Sequence, residues 1–209
     1  MTAISNFIEK ILNIEWQMFK AIKSAAPVSC QDSPETFKEV RGSVFEIWSE
    51  EMLDSYLGDL KLAQEKGRNL LTEKYARMDN LIPPLKINPL INEIVSIEAD
   101  WQKELKEKYP LLYARTCRGT DAVQNGNNFS IYLKSELETY SDRTIELYYS
   151  QIKEASENKK NLSAQALDCL VQKSGYRNIE HAEKYLTTSG NSRDSNNRFG
   201  KKHITKETL

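Results

Sequence analysis

Apolar residues recur every three or four positions through most of this chain, and that spacing restricts what it can fold into. The pattern is clearest over residues 4–23, where one helical face receives Ile4, Phe7, Ile8, Ile11, Leu12, Met18, Phe19 and Ile22. Glycine and proline, which interrupt helices and favour turns, number only 8 and 6 among 209 residues. The sequence therefore predicts an all-α protein rather than a turn-rich β fold.

Capping residues and prolines indicate where the helices begin and end. A polar capping side chain before a proline or an acidic residue is typical of a helix start, and a proline soon after an apolar run is typical of a helix end. Candidate starts are Ser33-Pro34, Ser49, Asn88-Pro89 and Ser141, and candidate ends are Pro83-Pro84 and Tyr109-Pro110. Residues 111–127 show no clear period and are predicted to form a loop. We expect one compact bundle of about seven or eight helices.

The charge balance and the cysteine count exclude several classes of protein. With 29 Lys and Arg against 30 Asp and Glu, the net charge is −1, so no basic field is available for a nucleic-acid partner. No apolar run approaches the roughly 18 residues of a membrane span, so no membrane partner is expected. The 3 cysteines form no CxxC pair, and residues 1–10 lack the basic start of a signal peptide. These features favour a reduced, cytoplasmic location.

The C-terminal residues differ in composition from the rest of the chain. Residues 189–209 contain five Lys or Arg, two Asp or Glu, and almost no apolar side chains. Such a segment cannot bury enough apolar surface to offset the entropy lost on ordering. We therefore expect a single helical domain over residues 1–188, followed by a flexible basic tail over residues 189–209.

Five ionisable residues fall inside the apolar helical faces when 100° is assigned to each position. They are Glu15, Arg41, Lys74, Glu98 and Glu136. Charged side chains in a protein core are costly unless they are paired or ligated. If the helices share one core, the sequence predicts that these five side chains meet at a common point.

Three interpretations of that meeting point remain open. The charges are structural ion pairs inside a non-enzymatic interaction module, or they line a cavity that binds, and in the fuller hypothesis transforms, a small polar or anionic molecule. In the third interpretation Glu15, Glu98 and Glu136 hold a divalent metal, and a carboxylate-only set favours Mg²⁺ or Mn²⁺. No other cofactor and no oligomeric state are predicted.

Within the cavity hypothesis, individual side chains receive expected roles. Arg41 is the expected anchor, because a guanidinium binds a carboxylate or phosphate with two parallel hydrogen bonds. Glu15, Glu98 and Glu136 are candidate general bases or ion ligands, and Lys74 is a candidate base or amine nucleophile. Trp48 and Trp101, on the apolar faces that include Arg41 and Glu98, are assigned to the ligand-binding set.

Two further stretches are candidates for a site. Cys30 lies just before the helix start at Ser33-Pro34, where the positive end of a helix lowers a thiol pKa, so it is a candidate nucleophile. At the helix break near Gly67, free backbone N–H groups and nearby basic residues are expected to bind an anion. The side chains assigned to ligand binding there are Arg68, Glu73 and Arg77.

Several short segments together resemble an uncharacterised bacterial family, domain of unknown function (DUF) family 4125. The matching segments over residues 10–185 are Ile14-Glu15-Trp16, Met18-Phe19, Cys30-Gln31, Thr36-Phe37, Arg41, Ser55-Tyr56, Asp59-Leu60, Gly67-Arg68-Asn69-Leu70, Glu73-Lys74-Tyr75-Ala76-Arg77-Met78, Ile94-Val95, Trp101, Tyr109-Pro110, Tyr132-Leu133, Glu136-Leu137 and Thr139-Tyr140-Ser141. The resemblance implies one compact unit and brings no activity with it. Its motif positions include Glu15, Cys30, Arg41, Arg68, Glu73, Lys74, Arg77 and Glu136.

Overall fold

A computed structural model describes residues 2–22, 33–120 and 128–189. Over these residues the secondary structure consists of ten α-helices and no strand, which confirms the all-α prediction and exceeds the expected helix count. The helices are α1 (Ala3–Lys20), α2 (Pro34–Phe45), α3 (Glu50–Glu65), α4 (Leu70–Met78), α5 (Pro89–Lys108), α6 (Pro110–Thr116), α7 (Phe129–Leu137), α8 (Asp142–Glu157), α9 (Leu162–Lys173) and α10 (Ile179–Ser189).

The predicted helix starts are confirmed at their serine and proline positions. Ser49 and Ser141 cap α3 and α8 with side-chain oxygens that accept backbone N–H groups. Helices α2 and α5 begin at Pro34 and Pro89, each at the first helical position. The Ser33 side chain makes no capping hydrogen bond, so the proline is the stronger local signal for the start of α2.

The loop prediction for residues 111–127 is wrong at its beginning, where the structure has α6. This helix is only 7 residues long, which is too short for a repeating apolar pattern to be recognised. Leu112, Tyr113 and Thr116 are its buried residues, and they lie within one turn of each other. Residues 121–127 lie outside the described residues.

Two groups of buried apolar side chains hold the helices together. The larger group joins α1, α3, α4, α7 and α8 with parts of α2 and α5. The smaller group joins α6, α9 and α10 with Val40 of α2 and Leu105 of α5. Helices α2 and α5 therefore contribute to both groups. The boundary between the two groups runs along these two helices.

The turn after α2 places an aromatic residue at this boundary. Helix α2 ends at Phe45, so Trp48 lies in a turn rather than in the helix that the sequence suggested. The Gln151 amide fixes the turn from α8: its Nε2 donates to the Ile47 carbonyl at 2.6 Å and its Oε1 accepts from the Ser49 N–H at 3.1 Å. Trp48 is thereby held in one position, with 5% of its surface exposed.

The remaining predictions about the chain concern membranes and the tail. In the described part of the chain, no helix combines the length and the apolar character needed to cross a membrane. The predicted tail over residues 189–209 lies outside the described residues, except that Ser189 is the last residue of α10.

Candidate functional site

A buried ion pair joins the first three helices. Glu15 of α1 is fully buried, and Arg41 of α2 binds it with two parallel hydrogen bonds. The Arg41 Nε donates to Oε2 at 2.9 Å and Nη2 donates to Oε1 at 2.6 Å. The hydroxyl of Tyr56, from α3, donates to the same Oε1 at 2.7 Å. Such a bidentate, charge-assisted pair fixes the relative position of the helices that supply it.

A second carboxylate extends this pair into a network. Arg41 Nη2 also donates to Glu136 Oε1 at 2.8 Å, and Lys74 Nζ donates to Glu136 Oε2 at 2.7 Å. The Tyr140 hydroxyl adds a hydrogen bond to Oε1 at 2.9 Å. We call Glu15, Arg41, Lys74 and Glu136 the ion network. Its two carboxylates and two cations cancel, and every carboxylate oxygen accepts at least one hydrogen bond from a cation.

Aromatic rings complete the surroundings of both cations. The Arg41 guanidinium lies 4.9 Å from the ring centroid of Phe45. The Lys74 ammonium lies 3.6 Å from the ring centroid of Tyr132. Because a cation over a ring face is attracted by the ring quadrupole, each cation is stabilised on a side that no carboxylate occupies.

Burial and opposite charge fix the protonation states in the ion network. Burial alone would raise the pKa of Glu136, but Arg41 and Lys74 outweigh it and hold that pKa below its usual value. Burial lowers the pKa of Lys74, and the charge of Glu136 opposes this shift. Burial also raises the pKa of the Tyr56 and Tyr140 hydroxyls, which therefore remain neutral donors.

A cavity of about 100 Å³ lies beside the ion network, between the two groups of buried apolar side chains. Helices α2, α5, α7, α8 and α9 line it, together with the turn after α2 and the residues that follow α6. We call it the central cavity. Its polar wall includes Arg41, Trp48, Glu98, Gln102, Arg118 and Glu136.

Several polar atoms around the central cavity have no partner. Four buried side-chain polar atoms of the described residues lack a hydrogen bond, and three belong to residues that line this cavity. The three are Trp48 Nε1, Gln102 Oε1 and Arg118 Nε. Trp48 and Gln102 are only 5% and 8% exposed. Buried polar groups are nearly always hydrogen-bonded, so three buried atoms without a partner among the described residues distinguish the wall of this cavity from the rest of the core.

Glu98 lines the same cavity but does not join the ion network. Its carboxylate accepts hydrogen bonds from the Tyr148 hydroxyl and, at 3.2 Å, from the Ser163 hydroxyl. Among the described residues no Lys, Arg or His forms a salt bridge with it. Burial raises the pKa of Glu98, and the two hydroxyl donors oppose that shift. Glu98 is therefore a partly buried carboxyl group without a counter-charge in this part of the chain.

Arg118 is a cation of the cavity wall that, like Glu98, has no counter-charge among the described residues. Its guanidinium carbon lies 4.4 Å from the Tyr132 ring centroid, and its Nε is buried without a hydrogen bond. Within the described ranges no carboxylate forms a salt bridge with Arg118. A guanidinium in this position is suited to bind an anionic group.

The carboxylates predicted to hold a metal do not come together as a ligand set. Arg41 bridges Glu15 and Glu136 and takes up the oxygens that an ion would need. Glu98 is bound to hydroxyl groups of α8 and α9 instead. Over residues 2–22, 33–120 and 128–189, no group of three or more His, Cys, Asp or Glu side chains is arranged to hold a metal ion.

The other predicted ligand-binding residues lie away from the central cavity. Arg68 and Glu73 bind each other through two hydrogen bonds of 2.8 and 2.6 Å. Arg77 Nε donates to Glu138 Oε2 at 2.8 Å. Trp101 is buried in the larger apolar group and does not line the cavity. Of the assigned ligand-binding set, the structure brings only Arg41 and Trp48 to this cavity.

The candidate catalytic residues differ in whether an opposite charge is bound to them. Glu15, Lys74 and Glu136 are each held by an opposite charge within the ion network. Cys30 lies outside the described residues. The carboxyl group that lines the central cavity without an opposite charge in the described ranges is Glu98, which the sequence assigned both to the metal set and to the candidate general bases.

Two of the three residues with unpaired atoms, Gln102 and Arg118, were not among the predicted site residues. Gln102 follows Glu98 by one helical turn and therefore lies on the same face of α5, a signal that was present in the sequence. Arg118 follows α6 in a segment without helical periodicity, so nothing in the sequence indicated that it lines a cavity with residues of α5 and α7.

These features define a class of protein: an all-α chain with a neutral ion network beside a cavity lined by unpaired polar atoms. A family model described as protein of unknown function (DUF4125) matches residues 5–184. Because the match spans most of the chain, the chain belongs to this family, and the resemblance seen in its motifs is confirmed. No curated protein and no solved structure matches the chain.

Proposed function

We propose that this protein binds a small polar molecule with an anionic group in the central cavity. The observation behind the proposal is the set of unpaired polar atoms on Trp48, Gln102 and Arg118 around one cavity. An indole N–H and a guanidinium N–H both donate hydrogen bonds, and the guanidinium is permanently charged. Two such donors favour a negatively charged, acceptor-rich group on the ligand.

The volume of the cavity supports a ligand of modest size. A cavity of roughly 150 Å³ in another protein holds benzene, which has six carbon atoms. The central cavity, at about 100 Å³, is therefore suited to a molecule with about four or five non-hydrogen atoms. This size favours a small metabolite rather than a nucleotide or a peptide.

Glu98 is the residue we assign to proton transfer if the bound molecule reacts. Glu15 and Glu136 are bound by Arg41, whereas the donors to Glu98 among the described residues are the hydroxyl groups of Tyr148 and Ser163. Burial raises the pKa of Glu98 above its usual value, the direction that makes a carboxyl group a better general acid or base.

Native mass spectrometry of the freshly purified full chain tests the proposal. We compare the wild type with Arg118→Met, which removes the proposed anion-binding group. Arg68→Ala is the matched control, because Arg68 is an arginine whose salt bridge with Glu73 lies outside the cavity. The expected result is a non-covalent organic mass on the wild type and on Arg68→Ala that is lost from Arg118→Met.

Two results would contradict this proposal. One is an added mass that persists in Arg118→Met, since the ligand would then bind elsewhere. The other is a wild-type mass without any adduct, combined with a Tm that formate, acetate, lactate and phosphate at millimolar concentration all leave unchanged. Elemental analysis of the same sample would detect a divalent metal and so distinguish the metal hypothesis.

The ion network supports a second candidate, a helical interaction module whose buried charges are purely structural. Its charges cancel and each carboxylate oxygen is hydrogen-bonded to a cation, as expected of a set that has no role in binding. This candidate would be favoured if the wild type carries no adduct and substitution of Arg41 lowers the stability of the fold.

A further inference from the structure

The wall of the central cavity includes one charge of each sign that no described residue neutralises. Arg118 provides the positive charge and Glu98 the negative charge, and the two do not form a salt bridge with each other. The other charged side chains of the wall, Arg41 and Glu136, are paired inside the ion network. The cavity is therefore dipolar.

A ligand with a single charge fits such a cavity incompletely. An anion would pair with Arg118 and leave Glu98 without a counter-charge, and a cation would do the reverse. Because an uncompensated charge away from water is unfavourable, a molecule that provides both signs is favoured. We infer that the ligand is a small zwitterion of the amino-acid type, whose carboxylate binds Arg118 and whose ammonium binds Glu98. This inference rests on the proposed function and specifies its ligand class.

The uncharged polar atoms of the wall match the same two groups. Trp48 Nε1 is a donor, as a carboxylate requires, and Gln102 Oε1 is an acceptor, as an ammonium requires. Gln102 lies one turn from Glu98 on α5, so the two acceptors share a face of that helix. A carboxylate without an ammonium group would leave Gln102 Oε1 without a donor and Glu98 without a counter-charge.

Aromatic rings beside Glu98 favour the ammonium further. The Tyr148 hydroxyl donates to Glu98, and the Tyr148 and Trp48 ring centroids lie 5.5 Å apart. Both rings line the cavity. An ammonium next to aromatic rings gains cation–π attraction in addition to its ion pair.

Isothermal titration calorimetry with three matched series tests the inference on the full chain. The zwitterions are glycine, β-alanine and 4-aminobutanoate. The anions of the same chain length are acetate, propanoate and butanoate, and the cations are methylammonium, ethylammonium and propylammonium. We expect one zwitterion to bind at least tenfold more tightly than the anion and the cation of matching length.

Two variants then assign the charges. Glu98→Gln is expected to reduce the affinity for the preferred zwitterion to that of the matching anion, and to leave the affinity for that anion unchanged or increased. Arg118→Met is expected to reduce it to that of the matching cation. Arg143→Met, whose exposed salt bridge with Glu51 lies outside the cavity, is expected to bind like the wild type.

The outcomes separate this inference from the proposed function. If an anion binds as tightly as its zwitterion, the ligand is a simple anion, so the inference is wrong and the proposed function stands. The same conclusion follows if Glu98→Gln leaves the preference for the zwitterion intact. If no member of the three series binds the wild type, the inference is wrong, and the proposed function is then decided by the native mass spectrum together with the lactate and phosphate measurements.

Discussion

The ion network and the central cavity share Arg41 and Glu136, but they differ in how their buried polar atoms are paired. In the ion network four charges cancel and each carboxylate oxygen is bound to a cation. In the cavity wall Trp48, Gln102 and Arg118 have buried polar atoms without partners among the described residues. The same helices provide a partner for every charge of the ion network, so a shortage of polar side chains does not explain the unpaired atoms of the cavity wall.

We expect the ion network to contribute to the stability of the fold and the cavity wall to contribute to ligand binding. Breaking a buried ion pair leaves an uncompensated charge, so the ion network is expected to stabilise the arrangement of α1, α2, α4 and α7. Unpaired polar groups buried in a cavity do not stabilise the free protein, because no hydrogen bond offsets their desolvation, and they are the groups that the proposed ligand would bind. Substitutions in the two regions are therefore expected to differ in their effects, in the order that follows.

Arg41→Ala is expected to have the largest effect. It leaves Glu15 buried with a hydroxyl donor alone and removes one of the two cations bound to Glu136. The free energy of unfolding should fall by about 3–5 kcal/mol, as for other broken buried pairs. For a chain of this size that loss lowers the Tm by roughly 10 °C or more, measured by circular dichroism.

Arg68→Ala is the control for that substitution. The Arg68 side chain is 44% exposed and pairs with Glu73 near the surface, so its loss is expected to cost less than about 1 kcal/mol. Equal losses of stability in Arg41→Ala and Arg68→Ala would show that a buried ion pair contributes no more to the free energy of unfolding than an exposed one.

Glu136→Gln is expected to destabilise less, by about 3 kcal/mol at neutral pH, because Lys74 loses its carboxylate while Arg41 keeps Glu15. The pKa of Glu136 is lowered in the folded protein, so its contribution is present above the unfolded pKa of about 4 and is lost as the pH falls further. Denaturant unfolding between pH 2 and 7 should therefore show a shallower acid dependence for the variant.

A double variant tests whether the unpaired cation causes this loss. Adding Lys74→Met to Glu136→Gln removes the ammonium that the first substitution leaves unpaired. The double variant should be more stable than the sum of the two single losses predicts. Strict additivity would mean that Lys74 and Glu136 do not interact.

At neutral pH Glu98→Gln is expected to change stability by about 1 kcal/mol or less, in the stabilising direction. Burial raises the pKa of Glu98, so the folded protein binds its proton more tightly than the unfolded chain. The resulting stability is present below the unfolded pKa and is lost as the pH rises through the folded pKa. A Tm that decreases in Glu98→Gln at pH 7 would contradict this assignment.

Gln102→Met is expected to have the smallest effect on the ligand-free protein. Gln102 is 8% exposed and its Oε1 has no hydrogen-bond partner among the described residues, so the substitution loses no contact of that atom. The free energy of unfolding should stay within about 1 kcal/mol of the wild type. A loss of 2 kcal/mol or more would show that the Gln102 amide stabilises the fold, and would remove it from the binding wall.

The sequence predicted the ion network well because of the cost of buried charge. Glu15, Arg41 and Glu136 lie on apolar faces, and a helix that buries such a face must pair the charge on it. Their meeting point was therefore expected before any contact was known. The helix starts at Pro34 and Pro89 were predictable for a local reason as well, since proline fits the first helical position.

The sequence did not predict the neighbours of Glu98. Periodicity shows which face of a helix is buried, but not which helix packs against that face. Helix α5 packs on α7, α8 and α9, whereas α1 packs on α2, α3 and α4. Glu98 therefore meets Tyr148 and Ser163 instead of Glu15.

The cavity wall was hard to predict because much of it comes from segments without periodicity. Trp48 lies in the turn after α2, and Arg118 follows a helix of 7 residues. Only the packing of the two groups of apolar side chains brings these residues together.

A crystal structure of the freshly purified protein provides the most direct measurement, through the electron density at hydrogen-bond distance from Trp48 Nε1, Gln102 Oε1 and Arg118 Nε. We expect one connected feature, larger than a water molecule, that reaches at least one of the two donors and also Gln102 or Glu98. The ion network should be fully paired in the same crystal. Separate water molecules, one on each unpaired atom, would contradict a binding role for the cavity and leave the buried charges with a structural role alone.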